Sequence, residues 1–150
     1  MIEYTFSEDE IKDYISENII EAYQPKIYAA LLSTEGDRYI DEIGYFLAGG
    51  RKAPGYTIST GVLRTGKAAL WESVKKQIYS MICTDSVDYV EIREKSKRGF
   101  KVFAGAVSAY IAGLLGVGVG VVAGLVALVL ISVWKLGKNA WCEIQAQGHI

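Results

Sequence analysis

VFAGAVSAYIAGLLGVGVGVVAGLVALVLISVW, residues 102–134, holds 33 consecutive positions without a charged side chain. A helix that crosses a bilayer needs about 20 predominantly apolar residues. The run therefore suffices for one long tilted span, or for two shorter arms folded back at its glycines. A surface helix of a soluble protein would carry a polar face, and this stretch has none. Its length and composition predict a membrane segment.

The flanks bear on its path. Lys97, Arg98 and Lys101 precede the run and Lys135 and Lys138 follow it. Basic residues at both ends suit two cytoplasmic ends, hence a hairpin turning in Gly116-Val117-Gly118-Val119-Gly120. A single glycine-rich helix is the alternative, because arms of about 14–16 residues fall short of a full span. Small residues also recur at every fourth position, at Ala104, Ser108, Ala112, Gly116, Gly120 and Gly124. Small-xxx-small spacing lets helices approach closely in lipid, where packing drives association. Ala112, Gly116, Gly120 and Gly124 are accordingly expected to pack in a homo-oligomer, with Gly120→Leu blocking assembly; the alternatives are packing within one hairpin and mere abundance of glycine. Trp134 and Trp141 suit an interfacial belt.

Charge is divided unevenly. Residues 1–50 carry 11 acids and 3 bases, whereas residues 51–101 carry 5 acids and 11 bases. The basic block either flanks a membrane segment and meets anionic headgroups, or neutralises the acidic block within one fold. The cysteines, Cys83 and Cys142, are far apart in sequence and outside any C-x-x-C pattern, so they are expected to stay unpaired in a reducing cytosol. The acidic opening MIEYTFSEDE lacks the positive region of a signal peptide. The N-terminal part is therefore expected in the cytoplasm and the apolar run in a bacterial inner (plasma) membrane.

The remaining pattern is mainly helical. Ser7 and Glu10 form a capping box, opening a helix to about Tyr23 with Ile11, Tyr14, Ile15, Ile19 and Ala22 on one face. Pro25 opens a second helix through Ile27, Tyr28 and Leu31. Asp37 caps a third, carrying Tyr39, Ile40, Ile43, Phe46 and Leu47, and Gly49-Gly50 end it. Residues 51–56 read as a turn and 57–63 as an extended segment or a loop. Thr65 caps a helix to about Cys83, with Leu70, Trp71, Val74, Ile78, Met81 and Ile82 at helical spacing. Residues 86–99 fit a helix and also a strand, leaving a small α or α+β domain. The expected organisation is a cytosolic sensing domain over 1–96, a transmembrane region over 97–138 and a short tail over 139–150.

Little in the chain suggests catalysis. Residues 61–68 approach a P-loop, but Ala68 stands where the magnesium-binding hydroxyl is required. A simpler anion site is conceivable from Arg64, Thr65, Gly66 and Lys67 at a helix N-terminus, with Arg51, Lys52 and Tyr56 adding charge and a stacking ring. The bland alternative is a capped helix with solvated bases. No metal-ligand spacing is evident, and no nucleophile has an adjacent base. The lone histidine, His149, reads as part of a frayed tail. We expect no cofactor and no enzyme.

In layout the chain resembles the short membrane effectors of antiphage defence systems, which join a small sensing region to transmembrane helices. The resemblance rests on the glycine-rich run 113–124 preceded by Arg98 and Lys101. It implies signal-gated oligomerisation in the lipid bilayer, triggered by a nucleotide, an oligonucleotide or a regulatory protein, and ending in a pore. The GVGVG stretch is also similar to the helices of rotary ATPase rings, but no intramembrane carboxylate is present to carry a proton. The alternative is a membrane-anchored accessory protein that binds a partner without forming a channel.

Overall fold

A computed structural model describes residues 6–33, 37–48 and 67–148. Among these residues there are helices and no strand. The helices are α1 (Glu8–Asn18), α2 (Gln24–Leu32), α3 (Asp37–Leu47), α4 (Lys67–Ile82), α5 (Val90–Glu94), α6 (Phe100–Leu115), α7 (Val119–Leu136) and α8 (Lys138–Gly148). Short 3-10 turns at Glu21–Tyr23, Val87–Tyr89 and Lys95–Arg98 join some of them. Residues 87–98 are thus in helical turns and form no strand.

Local chemistry explains most boundaries. The Ser7 side chain accepts from the Glu10 N–H at 3.1 Å, satisfying one orphan donor of α1. The reciprocal half of the expected capping box is absent. Glu10 instead turns its carboxylate to the first turn of α6, where Oε1 accepts from the Phe100 N–H at 2.7 Å. Gly99, at φ 102°, lies against that carboxylate, and a Cβ there would collide with it. The helix also stops at Asn18 and not near Tyr23, since Ile19 is extended. That bend buries Ile19 and leaves Ala22 exposed.

The helices surround α7, which packs against α1, α2, α3, α4, α6 and α8. Every residue of α7 from Val122 to Val133 is buried. Burial on all faces marks a core helix, and each large aliphatic side chain so buried contributes about 1.5–3 kcal/mol. The amphipathic faces read from the sequence supply the wall. Ile11, Tyr14 and Ile15 come from α1, Ile27 and Leu31 from α2, Ile40, Ile43 and Leu47 from α3, and Trp71, Val74, Ile78, Met81 and Ile82 from α4. Phe46 departs from this scheme, being 42% exposed beneath the Lys26 ammonium. Trp141 is buried in the bundle and does not form an exterior belt.

Cys83 and Cys142 are bonded, with Cα atoms 5.7 Å apart. This corrects the expectation of two unpaired cysteines. Sequence distance gave no hint of it, because the end of α4 meets the middle of α8 only when both pack on α7. Closing so long a loop is worth about 2–4 kcal/mol. The intact protein should therefore weigh about two mass units less than the reduced chain. Cys83→Ser with Cys142→Ser should lower the unfolding free energy by about that 2–4 kcal/mol. Intact mass and denaturant titration check both.

Candidate functional site: an apolar hairpin and its sheath

The apolar run folds back on itself. Gly116, at φ 72°, is the left-handed C-cap of α6, and both it and Val117 donate to the Ala112 carbonyl, at 2.9 and 3.1 Å. A left-handed cap costs glycine little, whereas a Cβ would be strained. Gly118 then opens α7. The turn interrupts the four-residue series of small side chains. Ala104, Ser108 and Ala112 face inward on α6, Gly116 and Gly120 are exposed, and Gly124 is buried beside Ile27, Leu47 and Ile19. Nothing lies within 4 Å of a Cβ built on Gly120. Gly120→Leu should consequently leave the bundle's stability within about 0.5 kcal/mol of the parent. Thermal unfolding checks this, and a change in oligomer size would then report assembly alone.

Polar bonds at the root of the hairpin tie it to α1 and α2. Trp134 Nε1 donates to the Phe6 carbonyl at 2.9 Å, and Lys135 Nζ to the carbonyls of Ala30 (2.8 Å) and Ser33. Lys101 pairs with Glu17 at 3.2 Å and reaches Asp13 at 4.0 Å. Tyr14 Oη and Ser108 Oγ share a buried hydrogen bond of 3.3 Å. The rings of Phe6, Phe100, Phe103 and Tyr14 fill the root, with centroids 5.1–6.0 Å apart. The basic block thus neutralises acids within the fold at Lys101, and again at Lys75.

That second place is a polar cluster between α3 and α4. Asp41 Oδ1 accepts from Trp71 Nε1 and from the buried Lys75 Nζ, both at 2.7 Å. Glu72 Oε2 accepts from the Tyr45 hydroxyl. The Gly44 backbone lies flat on the Trp71 ring, where any Cβ would overlap ring atoms. Sequence periodicity identified Trp71 as a core residue but could not reveal its anchor, because Asp41 lies 30 residues away.

Two tyrosines in the sheath titrate above their usual range. Burial raises the Tyr14 hydroxyl, partly offset by its bond to Ser108. Burial, then the bond to Glu72, raises Tyr45 well beyond an ordinary phenol. Both remain neutral in the fold where the unfolded chain already ionises. Their contribution is whole below about pH 10 and is lost as pH rises through the folded values. Melting temperature should therefore fall above about pH 10, and Tyr14→Phe should flatten that fall.

The other end of the hairpin is bare. Leu114, Val119 and Val121 are 52%, 51% and 51% exposed, and Gly113, Gly116, Gly118 and Gly120 lie open among them. The outer face of α6 continues the surface through Tyr110, Ala109, Gly105 and Val102. None of these residues is charged. Singly exposed apolar residues are ordinary, and here they run together along the turn and one face of α6.

Of the residues expected to bind an anion, Arg51, Lys52, Tyr56, Arg64, Thr65 and Gly66 lie outside the described residues, as does His149. Lys67 opens α4, and its side chain is likewise outside the description. An open cleft of about 520 Å³ at the hairpin root is lined by Val90, Glu91, Glu94, Lys95, Lys97 and Arg98. Its charges are mixed, and Lys97 already pairs with Glu94 at 2.8 Å. Among the described residues no three His, Cys, Asp or Glu side chains gather to hold a metal ion. No family model, curated protein or solved structure matches the chain.

Proposed function

We propose that this protein is a membrane effector stored in a closed form, whose apolar hairpin enters a bilayer when the surrounding helices release it. One observation carries the reading. Helix α7 is long and apolar enough to cross a membrane, yet 67% of it is buried inside the chain's own bundle while the hairpin tip stands open. Arms of 16 and 18 residues measure about 24 and 27 Å, close to the roughly 30 Å of a hydrocarbon core. Once inserted, the hairpins associate through their small residues and permeabilise the membrane. The trigger acts on the N-terminal helices and is a partner protein, a nucleotide or an oligonucleotide. The likeness of layout supports an antiphage role.

The disulfide bears on compartment. Such bonds persist in oxidising surroundings and are rare in the cytosol. The bonded form belongs to oxidising surroundings, and in a reducing cytosol the chain would carry two thiols.

A second reading draws on the same burial: α7 is simply the core helix of a soluble bundle. Dye-loaded phospholipid vesicles separate the two. The effector reading expects the protein to float with vesicles and release dye, with both effects growing under mild destabilisation. Protein that stays in the aqueous fraction at every denaturant concentration up to its unfolding midpoint overturns it. A vesicle-bound protein that releases no dye would instead be the non-channel accessory.

A further inference from the structure

We propose that the Cys83–Cys142 disulfide dictates how the apolar run enters a bilayer. In the oxidised protein both ends of residues 102–134 stay on one side, and only the reduced chain can form a single through-span. The inference rests on the membrane-active reading above.

The bond closes a ring of chain that contains the entire apolar run. A through-span would place Val102 and Trp134 on opposite faces, separated by about 30 Å of hydrocarbon. One root would then have to thread back to keep the sulfurs joined. From Trp134 to Cys142 there are eight residue steps, which reach at most about 29 Å when fully extended. That segment also carries Lys135 and Lys138. The other root, residues 84–101, holds nine charged side chains. Each charge taken to the bilayer centre lowers insertion roughly a hundredfold. Neither root can make the return.

The closed fold already has the shape that the bond demands. Both roots meet at Phe6, whose ring lies 5.1 Å from Phe100 and whose carbonyl accepts from Trp134. The turn at Gly116–Gly118 lies at the far end, where the hairpin's own residues are uncharged. Insertion tip-first thus preserves the pairing of α6 with α7 and moves no charged root through lipid. A dithiol reductant removes the restriction. Two electrons and two protons pass to the protein, the S–S bond breaks into two thiols, and the reductant leaves as its own disulfide.

Protease protection tests this on the intact chain. Oxidised and dithiothreitol-reduced protein are floated with phosphatidylcholine–phosphatidylglycerol vesicles, and the bound fraction is digested with trypsin from outside. In the oxidised sample we expect cleavage on both flanks, among Lys97, Arg98 and Lys101 and among Lys135 and Lys138, around one protected peptide spanning 102–134. Cys83→Ser with Cys142→Ser should give one pattern whether or not reductant is added. Oxidised protein cut on one flank and protected on the other overturns the inference and leaves the membrane reading standing. A redox effect that persists in the double variant overturns the inference as well. Absence of any protected peptide in both redox states overturns the membrane reading and this inference with it.

Discussion

On the function proposed above, Gly44→Ala should lower the stability of the closed bundle and at the same time raise dye release from vesicles. The Gly44 backbone rests on the Trp71 ring, and a methyl group there would overlap three ring atoms. Trp71 cannot step aside, because it is buried and its Nε1 is held by Asp41 at 2.7 Å. Overpacking of this kind costs about 1–3 kcal/mol, occasionally more. Since each 1.4 kcal/mol is about tenfold in an equilibrium constant, the opened population should grow roughly fivefold to a hundredfold. Vesicle dye release at fixed protein concentration should rise with it. Gly113→Ala is the control. It lies on the open outer face of α6 with nothing within 4 Å, and replacing a helical glycine by alanine stabilises by about 0.5–1 kcal/mol. Its release rate should fall modestly. Loss of stability in Gly44→Ala without any gain in release would detach the sheath from the function.

Leu114→Asp combined with Val119→Asp should do the opposite, leaving the bundle intact while abolishing vesicle entry. Both side chains are about half exposed at the hairpin tip, 52% and 51%. Surface substitutions of this type usually change stability by no more than about 0.5 kcal/mol. In lipid the same change is severe. An aspartate at the centre of a membrane helix costs about 2.5–3.5 kcal/mol on insertion scales, and its short side chain cannot snorkel as lysine does. Two of them on the leading end should reduce the rate of release at least about a hundredfold by that measure. Circular dichroism and thermal unfolding would verify the fold, and flotation would read binding. Unchanged flotation in a folded double variant would mean that the tip does not meet the bilayer.

The sequence made the helices legible and most of their inward faces with them. Ile11, Tyr14, Ile15, Ile27, Leu31, Trp71, Val74 and Ile78 recur at helical spacing, and all are buried. The exceptions have particular causes. Ala22 lost its place because Ile19 takes an extended conformation after Asn18. Phe46 found a cation, Lys26, in place of the core. Glu10 looked like the second half of a local capping box but serves α6, 90 residues away. The candidate site was legible only as an apolar stretch with basic ends. Its latches at Tyr14–Ser108, Trp134–Phe6 and Lys101–Glu17 join residues 84 to 128 positions apart, and no local pattern encodes such pairs.

By itself the sequence determined that residues 102–134 are uncharged without interruption and largely apolar, so that most of them are better kept from water, since composition alone fixes the cost of hydration. It also determined that the segments before it are amphipathic helices, because periodicity is a local property. What keeps the run from water was decided only by tertiary structure. The helices of the same chain close around α7, Gly116 takes a left-handed cap that breaks the four-residue rhythm into two arms, and Cys83 meets Cys142. A buried core helix and a membrane span satisfy the same apolar pattern, because in both the side chains meet hydrocarbon and not water. The pattern states the requirement, and the packing partner is supplied by three-dimensional contact alone.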